Sequence, residues 1–113
     1  MKWDALARIG LALPETEEST SYGTPALKVR GKTFVRLRED GKDVVFMLAN
    51  VDEQEHLIEA NPALYHITDH YKGWASVLAR LSKLSIGEAR VRLTNAWRLK
   101  APKTLVRQFD ARG

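Results

Sequence analysis

The sequence predicts an α+β fold: a two-layer sandwich in which a largely antiparallel five-stranded sheet carries helices on one face, in the order α-β-β-β-α-β-β-α-α. Three observations predict it. Apolar residues recur at three- and four-residue steps near both chain ends and briefly in the middle, but at every second residue from Leu27 onward, and this period separates helix from strand. The strand-like stretches come in consecutive groups joined by short Gly-containing turns, a connection open to antiparallel neighbours. No repeat, low-complexity run or linker divides the 113 residues, so 1–113 reads as one domain with one core.

The elements follow in order. Trp3, Leu6, Ile9 or Gly10, and Leu13 form the stripe of a first helix, which Pro14 stops. Glu15 to Gly23, with three acids and four hydroxyl residues, has no apolar period and reads as a loop entering the sheet at Thr24-Pro25. In the first strand Leu27 and Val29 face one way and Lys28 and Arg30 the other, up to a tight turn at Gly31-Lys32. In the second, Val35 and Leu37 share one face, and Phe34, Arg36 and Arg38 the opposite one; Asp40-Gly41 is the next hairpin signal. The third strand, Asp43 to Leu48, contains VVFML, apolar on both faces as in a central strand. A short helix follows with Asp52 as N-cap, Leu57, Ile58 and Ala60 inward, and Asn61-Pro62 as its end. Strands at Leu64 to Thr68 and Gly73 to Leu81 flank a loop, Asp69 to Lys72. Ile86, Ala89, Leu93, Ala96 and Trp97 describe an amphipathic helix, broken by Ala101-Pro102 before a last turn bearing Leu105, Val106 and Phe109.

Composition excludes several classes. At 44% hydrophobic and 28% charged residues the chain is an ordinary globule rather than a disordered one. It has no apolar run long enough for a membrane span, and MKWDALARIGLAL is unlike a signal peptide. The absence of cysteine removes disulfides, thiolate metal sites and a cysteine nucleophile, and agrees with a reducing compartment, so the expectation is a cytoplasmic protein; no membrane partner and a monomeric state are expected as well. The net charge of +4 is segregated: seven cations and four acids in residues 1–38, one and eight in 39–70, ten and two in 71–113.

Three motifs fall in a familiar order: Ser21-Tyr22-Gly23-Thr24-Pro25-Ala26-Leu27-Lys28-Val29 with Gly31-Lys32, then His70-Tyr71-Lys72-Gly73-Trp74, then Ala96-Trp97-Arg98-Leu99-Lys100-Ala101-Pro102-Lys103. With them the chain resembles the MmcQ/YjbR family. The resemblance implies an α, β3, α, β2, α layout related to secretion-chaperone-like folds and to "double wing" DNA-binding domains, and a DNA-binding-like role in a small bacterial protein. It supplies no catalytic residue.

The chemistry to be placed is cationic and aromatic. Residues 21–38 hold five cations and no acid. If Leu27, Val29, Val35 and Leu37 pack under helices, alternation sends Lys28, Arg30, Phe34, Arg36 and Arg38 to the uncovered face, with Lys32 in the turn and Arg80 on the last strand beside them. Cations with an interleaved ring suit a phosphate backbone and exposed bases, so DNA is the expected partner. The same residues also suit a merely solvated sheet face, with Phe34 tucked under the loop after the first helix. A second basic group, Arg98, Lys100, Lys103 and Arg107, suits the C-terminal end of a helix dipole, and Arg90 and Arg92 a solvated helix face. His70, Tyr71, Lys72 and Trp74 form a candidate contact loop. His66 and His70 lie four apart, yet Tyr65, Ile67 and Thr68 favour extended structure, so no metal or cofactor is expected. GxSxG, Walker A and GxGxxG signatures are missing. The expectation is a non-enzymatic DNA- or polyanion-binding domain; the alternative is a module for a protein partner or a small molecule.

Overall fold

The computed structural model describes residues 1–112. Its elements are α1 (Trp3–Gly10), β1 (Thr16–Ser21), β2 (Thr24–Val29), β3 (Lys32–Leu37), β4 (Asp43–Met47), α2 (Val51–Ala60), β5 (Tyr65–His66), β6 (Ser76–Arg80), α3 (Ile86–Lys100) and α4 (Lys103–Ala111). The strands form one sheet in the order β1-β2-β3-β4-β6-β5, with every neighbouring pair antiparallel. The α+β class is as the sequence predicts, with six strands instead of five. No helix among the described residues is long and apolar enough to cross a membrane.

The extra strand is β1, TEESTS, where the sequence suggested a loop. Both of its faces are polar, so it carries no period-two signal. It forms because it lies at the sheet edge, where one ladder suffices and charged residues discourage pairing on the free side. Tyr22-Gly23 joins β1 to β2 with φ of +55° and +79°, and Arg30-Gly31 joins β2 to β3 with +49° and +81°. Both are two-residue turns with two positive φ values, the type I′ geometry that matches strand twist. The second turn thus lies one residue earlier than Gly31-Lys32.

That turn pairs Val29 with Lys32 and Lys28 with Thr33; the register then slips, and Leu27 pairs with Val35 and Ala26 with Arg36. Phe34 is the extra residue of a β-bulge. A bulge sets two consecutive residues against one and breaks strict alternation, so Phe34 and Val35 both join the core. The expectation that Phe34 shares an outer face with Arg36 and Arg38 is therefore corrected: Phe34 is fully buried, among the aliphatic side chains beneath the helices.

The core layer holds Leu27, Val29, Val35, Val44, Phe46, Val77 and Ala79 from the sheet, Trp3 and Leu6 from α1, and Leu93 and Trp97 from α3. Trp97 Nε1 donates to Pro14 O at 3.0 Å, and its ring lies 4.9 Å from that of Phe109 on α4. Asn50, not Asp52, caps α2, its side chain accepting from Glu53 N at 2.9 Å; Ser85 caps α3 through Glu88 N. Arg92 is not solvated: its side chain is mostly buried, 3.3 Å from Glu53 on α2 and 3.8 Å from Glu88. Glu88 also accepts from the Tyr65 hydroxyl, whose pKa is pushed up by burial first and then by that hydrogen bond.

Replacement of Phe34 by Ala should remove about 3–5 kcal/mol of stability, as for a buried aromatic. Chemical denaturation measures it, and a loss within about 0.5 kcal/mol, the surface value, would place Phe34 on the wet face after all.

Candidate functional site

Beyond the bulge, Arg36 and Arg38 point away from the helices, but into a half-covered hollow and not onto an open plain. Their side chains are 12% and 23% exposed. The covering comes from the β5–β6 connection, which is longer than the sequence suggested because β5 ends at His66 and β6 begins only at Ser76. It carries a 3₁₀ turn, Asp69–Tyr71, and a second turn in which Trp74 N donates to Tyr71 O at 3.0 Å. Lys72 (φ −62°, ψ 124°) and Gly73 (φ +83°) give that second turn type II geometry, and its third position calls for glycine. The Lys-Gly pair of the HYKGW motif is thereby accounted for.

Gln54 holds this connection. It is buried on α2, and its Nε2 donates to the carbonyls of Tyr71 (3.0 Å), Trp74 (2.9 Å) and Ser76 (2.7 Å). Its two N–H donors are shared among three carbonyls, of which Tyr71 O and Trp74 O also accept from Trp74 N and Ser76 N, so one amide ties both ends of the turn to α2.

From this loop Tyr71 reaches both arginines. Arg36 Nη2 donates to Tyr71 Oη at 2.7 Å, and the Arg38 guanidinium lies 5.7 Å from the Tyr71 ring centroid. The Arg36 guanidinium also lies 5.4 Å from the ring of Tyr22, contributed by the β1–β2 turn. Tyrosine at positive φ is costly by about 1–2 kcal/mol in a position that usually takes Asn, Asp or Gly, and this one is 87% exposed. Trp74, 68% exposed, stands on the loop side. Together with Glu39, Val45, Met47, His70 and Ser76 these residues line a cavity of about 710 Å³.

The electrostatics of the cavity are unevenly matched. Glu39 lies 3.5 Å from Arg36 Nη1 and 4.0 Å from Arg38 Nε, too far to satisfy either as a hydrogen bond. Arg36 Nη1 and Arg38 Nε are buried and have no hydrogen-bond partner among the described residues. A backbone hydrogen bond, assisted by the two guanidinium charges, holds the Glu39 carboxyl below its usual range, so it is ionised at neutral pH. Two guanidinium charges thus meet one carboxylate.

The structure joins two groups that the sequence kept apart: Arg36 and Arg38 from the basic strand, and His70, Tyr71 and Trp74 from the contact loop. The remaining candidates lie elsewhere. Arg30, at the hairpin turn, forms a two-pronged pair with Glu15, which lowers the Glu15 pKa. Arg80 Nη1 donates to the carbonyls of Pro62 and Ala63 at 3.3 and 3.2 Å. Lys28 is half-buried opposite Glu17 and Thr33, Lys32 is exposed at the start of β3, and Lys72 is exposed but does not line the cavity. Phe34 is in the core. In the second basic group Arg98 is occupied by Asp110 at 2.9 and 2.5 Å. His66 Nε2 lies 3.0 Å from Asp43, apart from His70 in the cavity. Sequence reasoning assigned no role to Tyr22, Glu39 or Gln54. Gln54 had a signal: it is the polar member of the stripe that continues through Leu57 and Ile58.

A family model described as YjbR matches residues 11–99. The chain belongs to the YjbR family. The matched span of this YjbR protein runs from the end of α1 almost to the end of α3 and contains every residue lining the cavity. The uncharacterized proteins Rv2570 of Mycobacterium tuberculosis and Mb2600 of Mycobacterium bovis are each 28% identical to it over 123 residues, covering 96% of this chain and 95% of theirs.

Gln54→Ala should lower stability by about 1–3 kcal/mol, from about 0.5–1.5 for each of the two amide N–H donors lost. Hydrogen exchange should also accelerate selectively at residues 71–76. Reduced stability with unchanged exchange in that loop would show that Gln54 does not hold it.

Proposed function

We propose that this YjbR-family protein is a non-enzymatic nucleic-acid-binding module that receives the phosphate-bearing chain in the Arg36–Arg38 cavity. The observation that carries the reading is the pair of buried guanidinium nitrogens without partners beside a single shared carboxylate. Buried donors of this kind are costly unless an acceptor arrives. Guanidinium is the side chain best suited to a phosphate, which it grips through two parallel N–H donors. A footprint spread over the whole sheet has less support, since Arg30 is engaged by Glu15 and Arg80 by two carbonyls. Lys28, on the outer face of the same β2–β3 hairpin, fits a supporting role in which it attracts the chain without fixing it, whereas Lys32 pairs with core Val29 and lies on the helix side.

A protein partner is the second reading, favoured by Tyr22 and Trp74, since exposed Tyr and Trp beside Arg are the residue types of binding hot spots. Ionic strength separates the two. In titrations of labelled oligonucleotides, Arg36→Ala with Arg38→Ala should weaken binding at least about tenfold and make the salt slope shallower by about one unit for each phosphate that is no longer neutralised. Glu39→Gln, which removes the cavity's own anion, should tighten binding several-fold. Binding that is insensitive to salt, or unchanged in both variants, would overturn the proposal.

A further inference from the structure

Resting on the nucleic-acid reading, we infer that the cavity takes one unpaired nucleotide, its base against the Tyr22 and Trp74 rings and its phosphate on Arg36 and Arg38, so that the protein prefers single strands to duplex. Ring exposure is the first argument. Tyr22 and Trp74 are among the most exposed large side chains of the protein, 87% and 68%. They come from the β1–β2 turn and the β5–β6 connection, which lie on either side of the central β3–β4 pair in the sheet. A duplex buries its base faces in its own stack and offers only edges and phosphates. An unpaired base has a free π-face for such rings to stack on.

Charge is the second argument. Proteins that follow a duplex backbone neutralise on the order of six to ten phosphates. Here two arginines share one ionised glutamate among the lining residues, with Asp40 acting on Arg38 from just outside, so the cavity offers at most one net positive charge, enough for no more than one phosphate. Shape is the third. The hollow of about 710 Å³, with Val45 and Met47 among its apolar lining, lies within the range of about 300–1,000 Å³ of pockets that enclose a single small ligand. It matches one nucleotide better than a continuous helical ridge. The turn sets the Tyr22 backbone at φ +55°, and the Arg36 guanidinium, 5.4 Å from the ring centroid, draws its side chain toward the cavity.

The test uses the full-length protein and fluorescence anisotropy with a labelled oligothymidylate of about a dozen nucleotides. It is offered as a single strand, annealed to its complement, and as an abasic strand with the same phosphates, at about 50 and about 200 mM salt. The single strand should bind at least about tenfold tighter than the duplex. The abasic strand should bind on the order of 10- to 100-fold more weakly than the single strand, the fold-change expected when one base no longer stacks. Trp74→Ala should reduce oligothymidylate binding to the abasic level while Trp74→Phe retains most of it; Trp74 is exposed, so neither change threatens the fold. Duplex binding equal to or tighter than single-strand binding, still weakened by Arg36→Ala with Arg38→Ala, overturns this inference and leaves the nucleic-acid reading standing. A single-strand preference that Trp74→Ala does not alter also overturns it, because stacking would not be its source. No binding of any of the three probes overturns both.

Discussion

The bulge at Phe34 is the constraint on which the cavity depends. The two-residue turn at Arg30-Gly31 pairs Val29 with Lys32 and Lys28 with Thr33. Continued without a slip, that register would set Leu27 against Phe34 and Ala26 against Val35. Phe34, Arg36 and Arg38 would then face the helices, and Val35 and Leu37 would face water, because a shift of one residue exchanges the faces of a strand. Burying two guanidinium groups in an apolar layer is far costlier than exposing two aliphatic side chains. The extra residue removes this conflict. Phe34 stays inside with Val35, and the arginines that follow emerge on the other side.

Arg36 and Arg38 emerge beside central β4, not at an open edge, and this decides how they are held. Val45 and Leu78 occupy the same outer face yet are almost wholly buried, and Val45 lies beneath the cavity that the arginines and the β5–β6 connection enclose. Guanidinium groups on long stems can cover apolar surface while keeping their heads polar. The connection is in turn pinned from the helical side by Gln54, which reaches the carbonyls of Tyr71, Trp74 and Ser76. Core, clamp and cavity therefore form a chain of dependence. The strand parity aims the arginines, α2 holds the loop, and the loop's tyrosine fixes where Arg36 ends.

Much of this was legible from periodicity. The α1 stripe, the alternation of Leu27 and Val29, the unbroken apolar run VVFML of β4 and the recurrence of Ala89, Leu93, Ala96 and Trp97 in α3 are each patterned in the sequence, and each appears as an element in its place, although Ile86, assigned to the α3 stripe by its spacing, is exposed. What was not legible lacks such a period. In β1 neither face is apolar, so only its partner and its edge position make it a strand. The bulge leaves no mark on composition. It follows from combining a turn length with a facing pattern, and a turn placed one residue late at Gly31-Lys32 hides the conflict that requires it. The cavity was half legible. Arg36, Arg38 and the His70–Trp74 loop were each singled out as candidates, but their meeting depends on a connection that crosses the sheet, and Tyr22 enters by way of a strand the sequence did not reveal.

The distribution of paired charge explains why a chain with net charge +4 does not present a uniformly basic face. Arg30 is matched by Glu15, Arg98 by Asp110, and Arg92 by Glu53 and Glu88. The exposed pairs among these add little stability, since solvent screens them, but each removes a cation from the long-range field. Of these pairs Arg92–Glu53 alone joins a cation of residues 71–113 to an acid of the middle stretch, so charge is cancelled mainly within each stretch of the sequence. Glu39 and Asp40 fold back toward the basic β3 that precedes them, their carboxyls held below the usual range chiefly by backbone hydrogen bonds. At the cavity the cancellation stays incomplete, with two guanidinium groups and one carboxylate in a place partly shielded from water. A charge imbalance there interacts more strongly with an incoming anion than the same imbalance on an open surface, because the local dielectric is lower and screening is weaker. It is the concentration of uncancelled charge beside the Tyr22 and Trp74 rings, more than its total, that singles out this part of the surface.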